Sequence, residues 1–180
     1  MNQETILIVE DNLILRDGLQ DFLTAEGFQV LVAANDHLIN MGVTDMFATV
    51  IYGIYSRESG KFTFARAGHP MPIILDREAG VLPMSRSIGQ PIGIFSPVAL
   101  DVQTVTIPQG GVMLLFSDGL IEVMNKQGEA LEVEGAEQAL RRCHRATAQE
   151  ICQHMLQVAM NHAGEGAQQD DIALVCLKRR

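Results

Sequence analysis

Two apolar runs, each bounded on one side by acid, constrain this chain more than any other feature. Val112-Met-Leu-Leu-Phe116 carries no polar side chain and leads into Ser117-Asp118-Gly119, while Ile172-Ala-Leu-Val-Cys-Leu177 follows Asp170-Asp171. Runs this short and this apolar suit strands buried on both faces. A carboxylate at the end of such a strand is held by rigid backbone, and the glycine after Asp118 permits a sharp turn or a close backbone approach. Oxygen donors of this kind suit a hard cation such as magnesium or manganese. Asp-Gly is also a common turn pair. Adjacent acids at the mouth of a strand repel unless they are solvated or shared with a cation. Periodicity alone does not show whether the two acidic segments meet.

The rest of the chain supplies elements to surround those strands. Met46–Tyr55 and Lys61–Ala67 read as the arms of a hairpin around Glu58-Ser-Gly60. Gly68-His69-Pro70 interrupts the second arm, Met71–Leu75 resumes as a strand, and Asp76–Gly80 turns. Residues 83–97 hold Pro83, Pro91 and Pro97 with Gly89 and Gly93, and predict a loop. Val98–Ile107 reads as a strand, followed by a turn at Pro108-Gln-Gly-Gly111. Gly135–Cys143 and Thr147–His162 read as helices, the second with Thr147 as its cap and Glu150 three residues on. Near the start, Thr5–Val9 reads as a strand, Leu13–Glu26 as a helix and Phe28–Ala33 as a second strand. Asn35–Val43 reads as a partial helix or a connector. The body is therefore expected to be α+β, with hairpins first and helices later.

Composition narrows the function classes. Hydrophobic residues make up 47% of the 180, enough for a core. The formal charge of -9 argues against nucleic-acid binding, which depends on Lys and Arg against phosphate. No apolar stretch approaches the ~20 residues of a membrane span, and the first residues, Met-Asn-Gln-Glu, lack the basic region of an export signal. Three cysteines, Cys143, Cys152 and Cys176, have no close ligand spacing and fit a reducing compartment. The expectation is a cytoplasmic protein with no membrane and no nucleic-acid partner.

Read in order, five segments resemble the sporulation and stress-response branch of the PP2C-type phosphatases. They are Met46-Phe-Ala-Thr-Val-Ile-Tyr-Gly-Ile-Tyr55, Phe64-Ala-Arg-Ala-Gly-His-Pro70, Gln90-Pro-Ile-Gly93, Leu114-Leu-Phe-Ser-Asp-Gly-Leu-Ile-Glu122 and Gln169-Asp-Asp-Ile-Ala-Leu-Val175. The resemblance covers residues 44–180 and implies the back half of a β-sandwich flanked by helices, with a site for Mn2+ or Mg2+. It implies hydrolysis of phosphoserine or phosphothreonine by a metal-activated water. It places catalysis and metal binding on Asp118 and Asp170, with Asp171 as a neighbouring metal position. Gly68, His69 and Gly119 fall on positions that shape the site. The implied partner is a phosphorylated regulatory protein, of the kind that antagonises an anti-sigma factor.

The beginning is similar to something else. Thr5-Ile-Leu-Ile-Val-Glu-Asp-Asn12 resembles the first β-α-β of a two-component receiver domain, and Glu10 and Asp11 match its magnesium-binding acidic pair. Residues 1–34 are thus expected to be a partial receiver-like segment and 35–43 a junction. An upstream histidine kinase or phosphotransfer protein would follow from that reading. Both resemblances are partial: no receiver phosphoacceptor or lysine follows Ala34, and no Gly-Asp-Val-Ser-Gly-His-Gly-like acidic segment precedes the phosphatase half. A literally complete chain is therefore expected to bind metal weakly, turn over little and self-associate through uncovered strand edges. The alternative function is a catalytically inactive interaction fragment.

Overall fold

The computed structural model describes residues 29–41, 47–85, 87–164 and 170–180. The described residues fall into two compact units. One takes residues up to 56 with 61–69 and 85–105; the other takes 57–60, 70–84 and 106–180.

In the first unit a helix, α1 (Gln29–Asn40), accompanies a three-stranded sheet of β1 (Val50–Tyr55), β2 (Lys61–Ala67) and β4 (Asp101–Thr106), ordered β1-β2-β4. The expected hairpin is present. β1 and β2 pair antiparallel with Tyr55 opposite Phe62 and Val50 opposite Ala67, and Ser56 N donates to Lys61 O at 2.8 Å. Gly53 leaves room for the Phe62 ring, which stands 2.4 Å from where a Cβ would be.

The start of this unit corrects the sequence reading. Phe28–Ala33 was expected as a strand from its Val-Leu-Val composition, yet Gln29–Asn40 is helical. The residues that go inside are Leu31, Ala34, Asn35 and Leu38, a helical i, i+3, i+4, i+7 stripe that outweighs the β-branched pair. Ala34 and Leu38 pack with Ala48, Ala67 and Ile92, and Leu31 packs with Tyr52 and Ala65. The expected strand at Thr5–Val9 and helix at Leu13–Glu26, together with Glu10 and Asp11, lie outside the described residues.

The second unit is a sheet ordered β3-β5-β6, from β3 (Ile73–Leu75), β5 (Val112–Phe116) and β6 (Leu174–Lys178), antiparallel throughout. Two helices, α2 (Glu132–Cys143) and α3 (Ala148–Ala163), pack on each other, and α3 packs on β6. Their shared core joins Ile73, Leu75, Val112, Leu114 and Phe116 to Leu140, Ile151 and Met155. Met113, on the opposite face of β5, is also buried, so the central strand is covered on both sides, as its unbroken apolar sequence demands. α3 begins in a complete capping box: Thr147 accepts from Glu150 N while Glu150 accepts from Thr147 N. Among the described residues no helix is long and apolar enough to cross a membrane.

Candidate functional site

β5 and β6 run antiparallel, with Phe116 opposite Leu174, so the end of one and the start of the other lie side by side. Asp118 opens a short 3-10 turn (Asp118–Leu120) directly after β5. Asp170 and Asp171 lie just before β6. Ser117 clasps the two segments: its Oγ donates to Asp171 O at 2.9 Å and accepts from Ala173 N at 2.9 Å. Its own N–H donates to Ala173 O at 3.0 Å. Gly119 closes the approach, because a Cβ there would stand 2.4 Å from Asp171 O. The two segments that the sequence could not bring together are therefore joined by backbone packing and one hydroxyl.

Both Asp118 and Asp170 accept from the backbone N–H of the residue that follows. Asp118 Oδ1 accepts from Gly119 N at 3.1 Å, and Asp170 Oδ1 from Asp171 N at 2.8 Å. Asp170 and Asp171 are exposed and Asp118 is half-buried. Carboxylate oxygens are the right donors for Mg2+ or Mn2+, which take about six oxygen ligands. Among the described residues, however, no group of three or more His, Cys, Asp or Glu side chains is arranged to hold a metal. Among the described residues the donors are of the right kind and fewer than three.

Gly68 and His69 belong to the first unit, where a different device fixes them. Gly68 has a φ of +70°, and a Cβ on it would meet Pro91 at 2.7 Å, so glycine is required twice over. Arg66, at the end of β2, is buried and reaches forward: its guanidinium donates to His69 O at 2.7 Å, to Ser87 O, and to Asp101 Oδ2 on β4 at 3.0 Å. Asp101 is itself buried and also accepts from Gln103 Nε2. Asn35 on α1 acts similarly on the following loop, accepting from Gly93 N at 2.9 Å and donating to Phe95 O at 3.0 Å.

Sequence reasoning missed Ser117, Arg66, Asp101 and Asn35. Only Arg66 left a trace, as a charge between two alanines in β2. The cysteines are free and half-buried, and burial pushes the Cys176 thiol up to about 12.

Comparison with known proteins agrees with this architecture. Protein IcfG of Synechocystis is 24% identical over 146 residues, 81% of this chain and 23% of its own length. The RsbU and RsbW domains of Rv1364c from Mycobacterium tuberculosis superpose with a TM-score of 0.76 at 23% identity, covering 93% of this chain and 46% of that one. The SiaA PP2C domain of Pseudomonas aeruginosa gives 0.73 at 16% identity, covering 92% of this chain and 66% of that one. The fold is thus the mixed α/β fold of PP2C-like domains, and this chain spans less than half of the first two relatives. The sequence match begins at residue 14, within the stretch assigned above to a receiver-like segment, and nothing in it supports a receiver. Over residues 14–180 the chain belongs to the family described as Stage II sporulation protein E (SpoIIE).

Proposed function

We propose that this chain is a metal-dependent protein-serine/threonine phosphatase acting on a phosphorylated regulatory protein, with Asp118 and Asp170 as ligands of Mn2+ or Mg2+ and Asp171 beside them. The observation that carries the reading is the Ser117 clasp, which holds the Asp118 and Asp170-Asp171 segments together in a chain of the SpoIIE family. Two structures of the same fold support a divalent ion: the SpoIIE phosphatase domain of Bacillus subtilis, presoaked with Mn (TM-score 0.56), and RsbX in complex with magnesium (TM-score 0.61). Gly68 and His69 fall on site-shaping positions by resemblance alone, and Arg66 supports their own segment. The regulatory partner would be of the anti-sigma-factor-antagonist kind and the setting cytoplasmic. A receiver-like role for residues 1–34, with an upstream phosphodonor, has only the Glu10-Asp11 context behind it. The match from residue 14 and the helix at Gln29–Asn40 weigh against extending it.

The test is phosphate release from a phosphoserine-bearing protein, with and without Mn2+. Release that needs the ion and is lost in Asp118→Asn is the expected result. The same experiment addresses a second reading, a non-catalytic interaction fragment, which the lack of a three-donor group among the described residues favours. No release by a folded sample in Mn2+, with no change on Asp118→Asn, would reject the enzyme.

A further inference from the structure

The second unit contains a cavity of about 400 Å³ lined by Arg77, Glu78, Gly110, His144, Arg145 and Lys178. It lies at the opposite end of the sheet from the acidic segments. Gly110 precedes β5 and Lys178 ends β6, whereas Asp118 follows β5 and Asp170 precedes β6. Three fixed positive charges face one carboxylate here, in a chain whose net charge is -9.

The cations are differently committed. Lys178 Nζ donates to His144 O at 2.9 Å and to Ala146 O, which fixes its position and lets it act through its field. Arg77 and Arg145 are exposed and form no hydrogen bond or ion pair among the described residues. Their planar guanidinium forks are free to take the paired oxygens of a phosphate or carboxylate. His144 lines the cavity with its Nδ1 donating to Arg141 O at 2.6 Å.

We propose that this cavity binds a small polyvalent oxyanion of the phosphate class, at a site separate from the Asp118 and Asp170 segments. The volume sits at the low end of small-molecule sites, roughly 300–1,000 Å³, and exceeds what one phosphate group needs. Pyrophosphate or a short phosphoester fits better than orthophosphate. Glu78 opposes the anion, and the three cations outweigh it. The proposal does not depend on the phosphatase reading.

The test is calorimetric titration of the metal-free 180-residue chain with pyrophosphate at constant ionic strength, in an Asp118→Asn background to silence the acidic end. Orthophosphate and citrate serve as comparison arms. Saturable binding of pyrophosphate, tighter than either comparison anion, is expected. The double variant Arg77→Ala/Arg145→Ala should weaken it roughly tenfold or more, because two charge-assisted contacts are lost. The Arg77→Lys/Arg145→Lys double variant should lose less, since charge remains without the fork. Amide resonances of His144 and Lys178 should shift on binding. No saturable binding, unchanged affinity in the alanine double variant, or shifts confined to residues 117–119 and 170–173 would overturn the site. Citrate binding as tightly as pyrophosphate would overturn its phosphate class. Both arginines are exposed, so the variants should keep the native circular dichroism, and that spectrum checks it.

Discussion

Arg66 carries its charge into a place where water is excluded, and three oxygen-bearing groups are arranged to receive it. Its ion pair with Asp101 has side chains only 10% and 2% exposed. Removing one member strands the other, which typically costs about 3–5 kcal/mol. Arg66→Ala should therefore lower the urea midpoint strongly, and Asp101→Asn somewhat less because the amide still accepts a hydrogen bond. Arg66 also ties down the His69 carbonyl, so its loss should disorder the Gly68-His69-Pro70 segment before it unfolds the sheet, visible as faster amide exchange there. Gly119 gives the second prediction at this scale. Its Cβ would overlap Asp171 O, a backbone atom that cannot swing aside. Gly119→Ala should destabilise by about 1–3 kcal/mol in denaturant unfolding and weaken Mn2+ binding in parallel, because relief comes only by parting the two acidic segments.

α3 depends at its start on a reciprocal cap. Replacing Thr147 by Ala removes the oxygen that Glu150 N uses and should cost about 1 kcal/mol in thermal or urea unfolding. The backbone hydrogen bond from Thr147, and then its hydroxyl, hold the Glu150 carboxyl below its ordinary value of 4.5. A depressed folded value means the contribution is fully present above the ordinary carboxylate value and is lost as pH falls through the folded one. Acidification below 4.5 should therefore narrow the stability difference between wild type and Thr147→Ala. This cap was legible in the sequence because its signal is local, a Thr and a Glu three apart ahead of an apolar stripe. Val112–Phe116 and Lys61–Ala67 were legible for the same reason: composition and flanking turns agree with one period. Gln29–Asn40 was misread because Val30, Leu31 and Val32 promise a strand locally, and only packing against Ala48, Ala67 and Tyr52 decides for the helix. The Arg66–Asp101 pair and the Asn35 bridge to Gly93 span 35 and 58 residues. Contacts that long leave no periodic mark. The acidic segments lie between these cases. Ordered motifs marked Asp118 and Asp170, while their meeting depended on a strand register and a serine hydroxyl that no pattern reveals.

At the scale of the whole molecule, a metal site and a structural cluster make opposite demands on stability. If Asp118 and Asp170 serve as ligands, the ion-free chain holds two carboxylate-bearing segments together against their own repulsion, and the ion relieves it. Binding to the folded state alone then raises stability by mass action, about 2.7 kcal/mol at a hundredfold excess over Kd. For a chain of this length that corresponds to a Tm rise of about 5–10 °C. Asp118→Asn should abolish most of that rise, and it should leave the ion-free protein as stable as wild type or slightly more so, because one repelling charge has gone. A carboxylate that served only to cap the 3-10 turn would behave the other way, lowering the ion-free Tm and leaving the response to Mn2+ intact. Scanning calorimetry of both proteins, with and without Mn2+, separates the two without any assay of turnover. The described residues set the expected strength: with fewer than three of their carboxylates on the ion it keeps most of its water, so the Tm rise should need millimolar rather than micromolar Mn2+. A rise already complete at micromolar Mn2+ would mean that residues outside the described set complete the coordination.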